Sequence, residues 1–192
     1  MPTFLTSAAD PAGFPSDAGR EVAFVGRSNS GKSTALNALL GVRSLARVSK
    51  TPGRTQLVNF FAVGPDRRVV DLPGYGFARV PAQIRDRWRG LLERYFRERA
   101  SLAGLVVTVD IRRGLGELDQ AMLDWIAPRG LPVAVLLTKA DKLGRGAGLA
   151  AQHAAARLLG ERARVLRFSA LDGSGVTEGR DWLGARLASA GQ

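Results

Sequence analysis

A glycine-rich stretch, GRSNSGKS, offers the first chemistry in this sequence because it fits the pattern G-x-x-x-x-G-K-[ST]. It follows the apolar segment EVAFVG and opens a helical segment, as a phosphate-binding loop requires. Backbone N–H groups of such a loop and the helix dipole bind phosphate oxygens. Lys32 is expected to bridge the β- and γ-phosphates, and the Ser33 hydroxyl to bind Mg²⁺. The predicted phosphate site comprises Gly26, Arg27, Ser28, Asn29, Ser30, Gly31, Lys32 and Ser33.

The stretch DLPGYG follows a later apolar run and places Asp-x-x-Gly at the end of a predicted strand. Asp71 is expected to hold Mg²⁺ through water, and the Gly74 N–H to contact the γ-phosphate, with Leu72 and Pro73 between them. Ras-like enzymes carry a glutamine after this glycine that orients the attacking water. This chain has Tyr75 there, so the source of that catalytic help is open.

Two further stretches predict recognition of a guanine base. TKAD fits the pattern [NT]-K-x-D, in which the Asp141 carboxylate accepts hydrogen bonds from the guanine N1–H and the 2-amino group. FSA follows the last predicted strand, and the Ala170 N–H is expected to donate to guanine O6. The predicted base site comprises Thr138, Lys139, Ala140, Asp141, Phe168, Ser169 and Ala170.

The stretch TPGRTQ is the candidate first switch, a loop whose threonine contacts Mg²⁺ and the γ-phosphate only when that phosphate is present. Thr55 has the better spacing before the next strand, and Thr51 is the alternative. The predicted switch contacts are Gly53, Arg54, Thr55, Gln56 and Leu57.

The elements that carry these loops alternate between strands and helices. Segments 104–111 and 131–139 are continuous apolar runs, typical of strands buried on both faces. We therefore predict an α/β three-layer P-loop NTPase fold, a Ras-like G domain, with a mostly parallel six-stranded sheet and one antiparallel edge strand. Residues 1–20 are interpreted as an N-terminal arm or loop, and residues 21–190 as a single G domain.

Composition narrows the class of partner. The net charge of +11 favours a polyanion as partner. Nucleic acid is preferred over an anionic membrane because the sequence shows neither a lipid-anchor signal nor a basic amphipathic helix of clear pattern. The sequence also contains no cysteine and no signal-peptide pattern, so a cytoplasmic location is expected. Segments 43–68 and 79–99 are rich in arginine beside the predicted switches, and either an RNA-binding face or an ordinary solvated face would explain them.

Together these motifs resemble those of the EngB (YihA/YsxC) family of bacterial ribosome-biogenesis GTP-binding proteins, which are TRAFAC-class P-loop GTPases. The resemblance rests on EVAFVGRSNSGKS, TPGRTQLVNFF, DLPGYGFA, TVDIRRG with Asp119, LLTKADKL and FSAL, and spans roughly residues 4–185. It implies GTP and GDP binding, a Mg²⁺ requirement with Ser33 and Thr55 as ligands, and association with the large ribosomal subunit and its rRNA. It also implies a link to cell division and septation. We expect no specificity for DNA, and we expect the protein to be a monomer.

Several alternatives remain for the catalytic help. K⁺ coordination by Asn29 of the phosphate loop is one hypothesis, since some related GTPases with asparagine there coordinate K⁺ beside the phosphates. A group donated by the ribosome is a second hypothesis, and a third is that Asn29 only braces the loop by hydrogen bonds. Without a group of its own, the chain is expected to hydrolyse GTP slowly, at about 10⁻⁴ to 10⁻³ s⁻¹. An RNA-binding factor whose nucleotide site only senses GDP and GTP, or another RNA-linked GTPase domain, is the alternative function.

Overall fold

The computed structural model describes residues 1–46, 57–76 and 82–188, with the backbone alone for 82–85, 87 and 88. Within these residues the chain alternates between strands and helices. The strands are β1 Thr3–Ala8, β2 Arg20–Gly26, β3 Val58–Gly64, β4 Arg67–Asp71, β5 Leu102–Asp110, β6 Val133–Thr138 and β7 Arg164–Arg167. The helices are α1 Lys32–Leu40, α2 Ala82–Glu98, α3 Glu117–Ile126, α4 Arg145–Leu159 and α5 Val176–Leu187.

The strands form one sheet in the order β1-β3-β4-β2-β5-β6-β7. Strands β2, β5 and β6 lie at its centre as parallel neighbours, and their continuous apolar runs are buried on both faces. Apolar side chains of α2, α3 and α4 cover one face of the sheet, and those of α1 and α5 cover the other. The predicted three-layer α/β fold is therefore confirmed. No helix among the described residues is long and apolar enough to cross a membrane.

The structure corrects the prediction that the N-terminal segment is an arm or loop. Thr3–Ala8 is not loop but the edge strand β1, which pairs antiparallel with β3 and raises the sheet to seven strands. Strand β3, which runs opposite to all the others, thus lies inside the sheet and not at its edge. Most β1 side chains are exposed, so the segment lacks the apolar pattern of a buried strand. The segment forms a strand because it pairs with the edge of β3, in the register Thr3↔Ala62 to Ala8↔Val58.

A buried cluster of charges lies at the amino ends of the strands, away from the predicted nucleotide site. The carboxylate of Glu21, with no exposed surface, accepts hydrogen bonds from Arg68 (2.7 Å) and Arg99 (2.6 Å). Both guanidinium groups also donate to backbone carbonyls of residues 15–18 and so fix the chain before β2. Arg68 and Arg99 are therefore internal, and this corrects their inclusion in the two arginine-rich surface segments. Arg43, Arg67, Arg89, Arg94 and Arg97 are exposed.

Candidate functional site

The phosphate loop lies at the carboxyl end of β2, between Gly26 and the first turn of α1. Its turn needs left-handed backbone at Asn29 (φ 62°) and Gly31 (φ 85°). Gly26 is required for a different reason: a Cβ there would lie 2.2 Å from Thr108 Oγ1 and 2.7 Å from the Thr108 carbonyl oxygen. The glycines of the pattern therefore permit a tight turn and a close approach to β5.

Side chains from the neighbouring strands brace this loop. The hydroxyls of Ser30 and Thr108 lie 2.7 Å apart, and the Thr138 hydroxyl lies 2.5 Å from the Ser30 carbonyl oxygen. Lys139 Nζ donates to the Asn29 carbonyl oxygen at 2.8 Å. Thr138 and Lys139, which sequence assigned to the base, thus also hold the phosphate loop. Thr138 is only 3% exposed, so its side chain acts as a support for the loop and not as a surface that faces the base.

The loop after β4 reaches the same edge of the sheet. Asp71, the last residue of β4, forms an ion pair with Lys32, and the two side chains are 10% and 13% exposed. Ser33 follows Lys32 in the first turn of α1 and is half-buried. The Asp71 carboxylate and the Ser33 hydroxyl are hard oxygen donors of the kind that Mg²⁺ uses alongside substrate phosphates. The described residues therefore fit a magnesium site shared with a bound nucleotide.

The two predicted base loops lie side by side at the ends of β6 and β7. The Ala140 N–H donates to the Phe168 carbonyl oxygen at 3.0 Å, and the Ser169 hydroxyl donates to Asp141 Oδ1 at 2.8 Å. That hydrogen bond is the main reason why the pKa of Asp141 lies below its usual value. Asp141 is therefore held as an oriented carboxylate. Ala170 follows at the exposed end of this loop.

Sequence reasoning assigned no role to Asp110, at the end of β5. Its carboxylate accepts two hydrogen bonds from the Arg112 side chain and one from Lys139 Nζ at 2.9 Å. The Arg112 hydrogen bonds, followed by the contact with Lys139, hold the pKa of Asp110 well below its usual range. Lys139 Nζ is thus held by the Asp110 carboxylate and by the Asn29 carbonyl oxygen together. A polar residue at the carboxyl end of a buried parallel strand is the signal that points to it.

The ring of Tyr75 points into the core and not towards the phosphate loop. The side chain is 4% exposed and packs in the core beneath α3, where its hydroxyl donates to Asp119 Oδ1 at 2.6 Å. In this structure its hydroxyl therefore cannot orient a water at the nucleotide. Leu72 is fully buried, while Pro73 and Gly74 continue the loop above the phosphate loop.

The predicted first switch lies mostly outside the described residues. Thr51, Gly53, Arg54, Thr55 and Gln56 fall there, and only Leu57, half-buried just before β3, is described. The magnesium role of Thr55 and the choice between it and Thr51 stay predictions. The structure brings the remaining motifs to one edge of the sheet, at the carboxyl ends of β2, β4, β6 and β7.

Comparison with known proteins identifies the family of this chain. The family of 50S ribosome-binding GTPases matches residues 21–139, which is more than half of the chain. The probable GTP-binding protein EngB of Azoarcus sp. (strain BH72) is 51% identical over 179 residues, covering 91% of this chain and 86% of that protein. Its counterpart in Pasteurella multocida (strain Pm70) is 50% identical over 190 residues, covering 97% and 90%.

Solved structures share the fold. A crystal structure of a probable GTP-binding protein EngB has a TM-score of 0.69 at 21% identity, covering 87% of this chain and 98% of that chain. Era in complex with MgGDPNP and nucleotides 1506–1542 of 16S ribosomal RNA has a TM-score of 0.67 at 22% identity, covering 91% and 59%. By the motifs, their placement on one edge of the sheet and the identity to curated relatives, the chain belongs to the EngB family of GTP-binding proteins and is a P-loop GTPase.

Proposed function

We propose that this protein binds GTP and GDP with Mg²⁺, hydrolyses GTP slowly, and acts as a nucleotide switch in assembly of the large ribosomal subunit. One observation carries the nucleotide part of the proposal. The loops after β2, β4, β6 and β7 meet at one edge of the sheet and bring the phosphate loop, Asp71 and an oriented Asp141 together. Ligands of open α/β sheets bind at this edge.

Each group of the site has a task in this proposal. The ammonium of Lys32, now paired with Asp71, would turn to the β- and γ-phosphates. Asp141 would accept the guanine N1–H and 2-amino hydrogen bonds, while the stem of Lys139 lies along the base. Ser33, Thr55 and, through water, Asp71 would hold Mg²⁺. When bound, that ion would neutralise the charge that develops on the phosphates.

Slow hydrolysis is supported by the orientation of the Tyr75 side chain, whose hydroxyl is bound to Asp119. The residue in the glutamine position donates its hydroxyl to Asp119 in the core and leaves the attacking water without that helper. Asn29 stays a candidate K⁺ ligand: it is exposed and its backbone is left-handed at the mouth of the loop. Single-turnover hydrolysis in K⁺ and in Na⁺ tests this hypothesis, and equal rates would remove it.

A ribosomal partner is supported by the net charge of +11 and by the description of the matching family as 50S ribosome-binding GTPases. The exposed Arg89 and Arg94 lie on α2, which follows the second switch, the loop after β4 that carries Gly74. An RNA contact there would therefore sense the nucleotide. Changing both to glutamate is expected to abolish co-sedimentation with large subunits and to leave GDP binding unchanged. The matched control changes the exposed Arg145 and Arg157 of α4, with the same change in net charge.

The second candidate function is an RNA-binding assembly factor whose nucleotide site only senses the GDP and GTP levels. GTP turnover with and without large ribosomal subunits separates the two. The switch predicts faster hydrolysis when subunits are present, whereas unchanged turnover with intact subunit binding favours the sensor. A link to normal cell division and septation and a location in the cytoplasm are also part of this proposal.

A further inference from the structure

The loop that carries Gly74 is joined to the phosphate loop by two backbone hydrogen bonds. The Tyr75 N–H donates to the Gly26 carbonyl oxygen, and the Ser28 N–H donates to the Tyr75 carbonyl oxygen, both at 3.1 Å. Gly74 therefore lies so close that a Cβ there would be 3.2 Å from the Gly26 carbonyl oxygen. No hydrogen bond to another described residue engages the Gly74 N–H. The position of Tyr75 thus decides where the Gly74 N–H sits above the phosphate loop.

The side chain of Tyr75 is itself fixed from α3. Its hydroxyl donates to Asp119 Oδ1 at 2.6 Å, and Asp119 Oδ2 accepts the Gly116 N–H at 2.9 Å. Asp119 has no exposed surface, so its carboxylate depends on these two donors. Burial, and then the Asp119 carboxylate, raise the pKa of Tyr75 well above its usual value. The hydroxyl therefore stays protonated and keeps donating throughout the neutral range.

We propose that Asp119 is a positioning residue for the γ-phosphate: through the buried Tyr75 hydroxyl it holds Gly74 where its N–H meets that phosphate. The inference rests on the proposed function, in which the Gly74 N–H contacts the γ-phosphate. Tyr75 thereby has a task in place of the missing glutamine, since it positions the backbone of the switch and does not touch the water. GDP lacks the γ-phosphate, so the pair favours GTP over GDP and leaves GDP binding untouched.

A matched pair of variants tests the proposal. Tyr75→Phe removes only the hydroxyl that binds Asp119. Tyr95→Phe makes the same change at a tyrosine that is 1% exposed and donates to the buried Glu21 at 3.2 Å, but at the opposite end of the strands. Calorimetric titration with GDP and with a non-hydrolysable GTP analogue gives the ratio of the two dissociation constants. Thermal unfolding of each variant measures the structural cost.

Both variants are expected to unfold at a lower temperature, because each leaves a buried carboxylate short of a donor. Only Tyr75→Phe is expected to weaken the binding of the GTP analogue relative to that of GDP, by about tenfold. An unchanged ratio in Tyr75→Phe, or the same shift in Tyr95→Phe, overturns the proposal.

Asp119→Leu supplies a second variant of similar size. Its side chain offers no acceptor to the Tyr75 hydroxyl, so a shift in the same direction is expected. If Tyr75→Phe does not fold, this variant decides, and an unchanged ratio overturns the proposal. If the unmodified protein binds guanine nucleotides, such a result removes only the positioning role. If it binds none, the proposed function fails as well.

Discussion

Replacing Thr138 with valine removes one hydroxyl and keeps the branched shape of the side chain. That hydroxyl lies 2.5 Å from the Ser30 carbonyl oxygen and 3.1 Å from the Val109 carbonyl oxygen, in a place where Thr138 is 3% and Ser30 is 4% exposed. Its single hydrogen serves the nearer carbonyl. In the valine variant the Ser30 carbonyl loses its donor while the loop stays folded.

A buried carbonyl without a donor costs about 1–3 kcal/mol. The free loop can escape most of this cost by turning the Ser30 carbonyl towards water. Nucleotide binding requires the ordered loop, so the bound state bears the cost of the unpaired Ser30 carbonyl. Dissociation constants should therefore rise by roughly five- to 150-fold, since each 1.4 kcal/mol is tenfold. The loss should be equal for GDP and GTP, because the amide groups of the loop hold phosphates that both nucleotides share.

Calorimetric titration of GDP and of a non-hydrolysable GTP analogue measures both constants. Thr138→Ser is the control, since it keeps the hydroxyl and should retain affinity within a few-fold. Unchanged affinities in Thr138→Val, with the protein folded, would refute the bracing of the phosphate loop by Thr138. A loss confined to the GTP analogue would also contradict it.

Three further outcomes are expected. Asp141→Asn should weaken GDP by about a hundredfold or more in calorimetry, because the amide offers one acceptor where the carboxylate offers two; equal affinity would place the base elsewhere. Glu21→Gln leaves two buried guanidinium groups underpaired and should lower the free energy of urea unfolding by about 3–5 kcal/mol, while the GTP-to-GDP preference stays unchanged. The pKa of Asp110 is lowered on folding, so its stabilisation is present above about pH 4 and is lost as the pH falls towards the folded pKa. Acid unfolding of Asp110→Asn should therefore depend less steeply on pH than that of the unmodified protein.

The phosphate and base motifs could be predicted from sequence because their spacing reflects local geometry. Asp71 ends β4, Asp141 lies in the turn after β6, and Lys32 begins α1 after the loop that follows β2. A parallel sheet brings the carboxyl ends of these strands together. The task of Tyr75 could not be predicted, since it depends on Asp119, which is distant in the chain and meets it only through packing.

The same limit applies to the arginines and to the N-terminus. Composition counts Arg68 and Arg99 as surface charge, but Glu21 draws both inside once β2, β4 and the end of α2 come together. The residues Thr3–Ala8, most of them exposed, carry no strand pattern of their own, and pairing with β3 supplies their order. Long-range partners decide each of these features, and a single sequence does not reveal such partners.

Co-sedimentation with large ribosomal subunits, in GDP and in a non-hydrolysable GTP analogue, tests the central claim most directly. A nucleotide switch predicts that the protein travels with the large subunit in the presence of the GTP analogue and is largely released in GDP. Equal binding in both nucleotides, or none in either, would contradict the account.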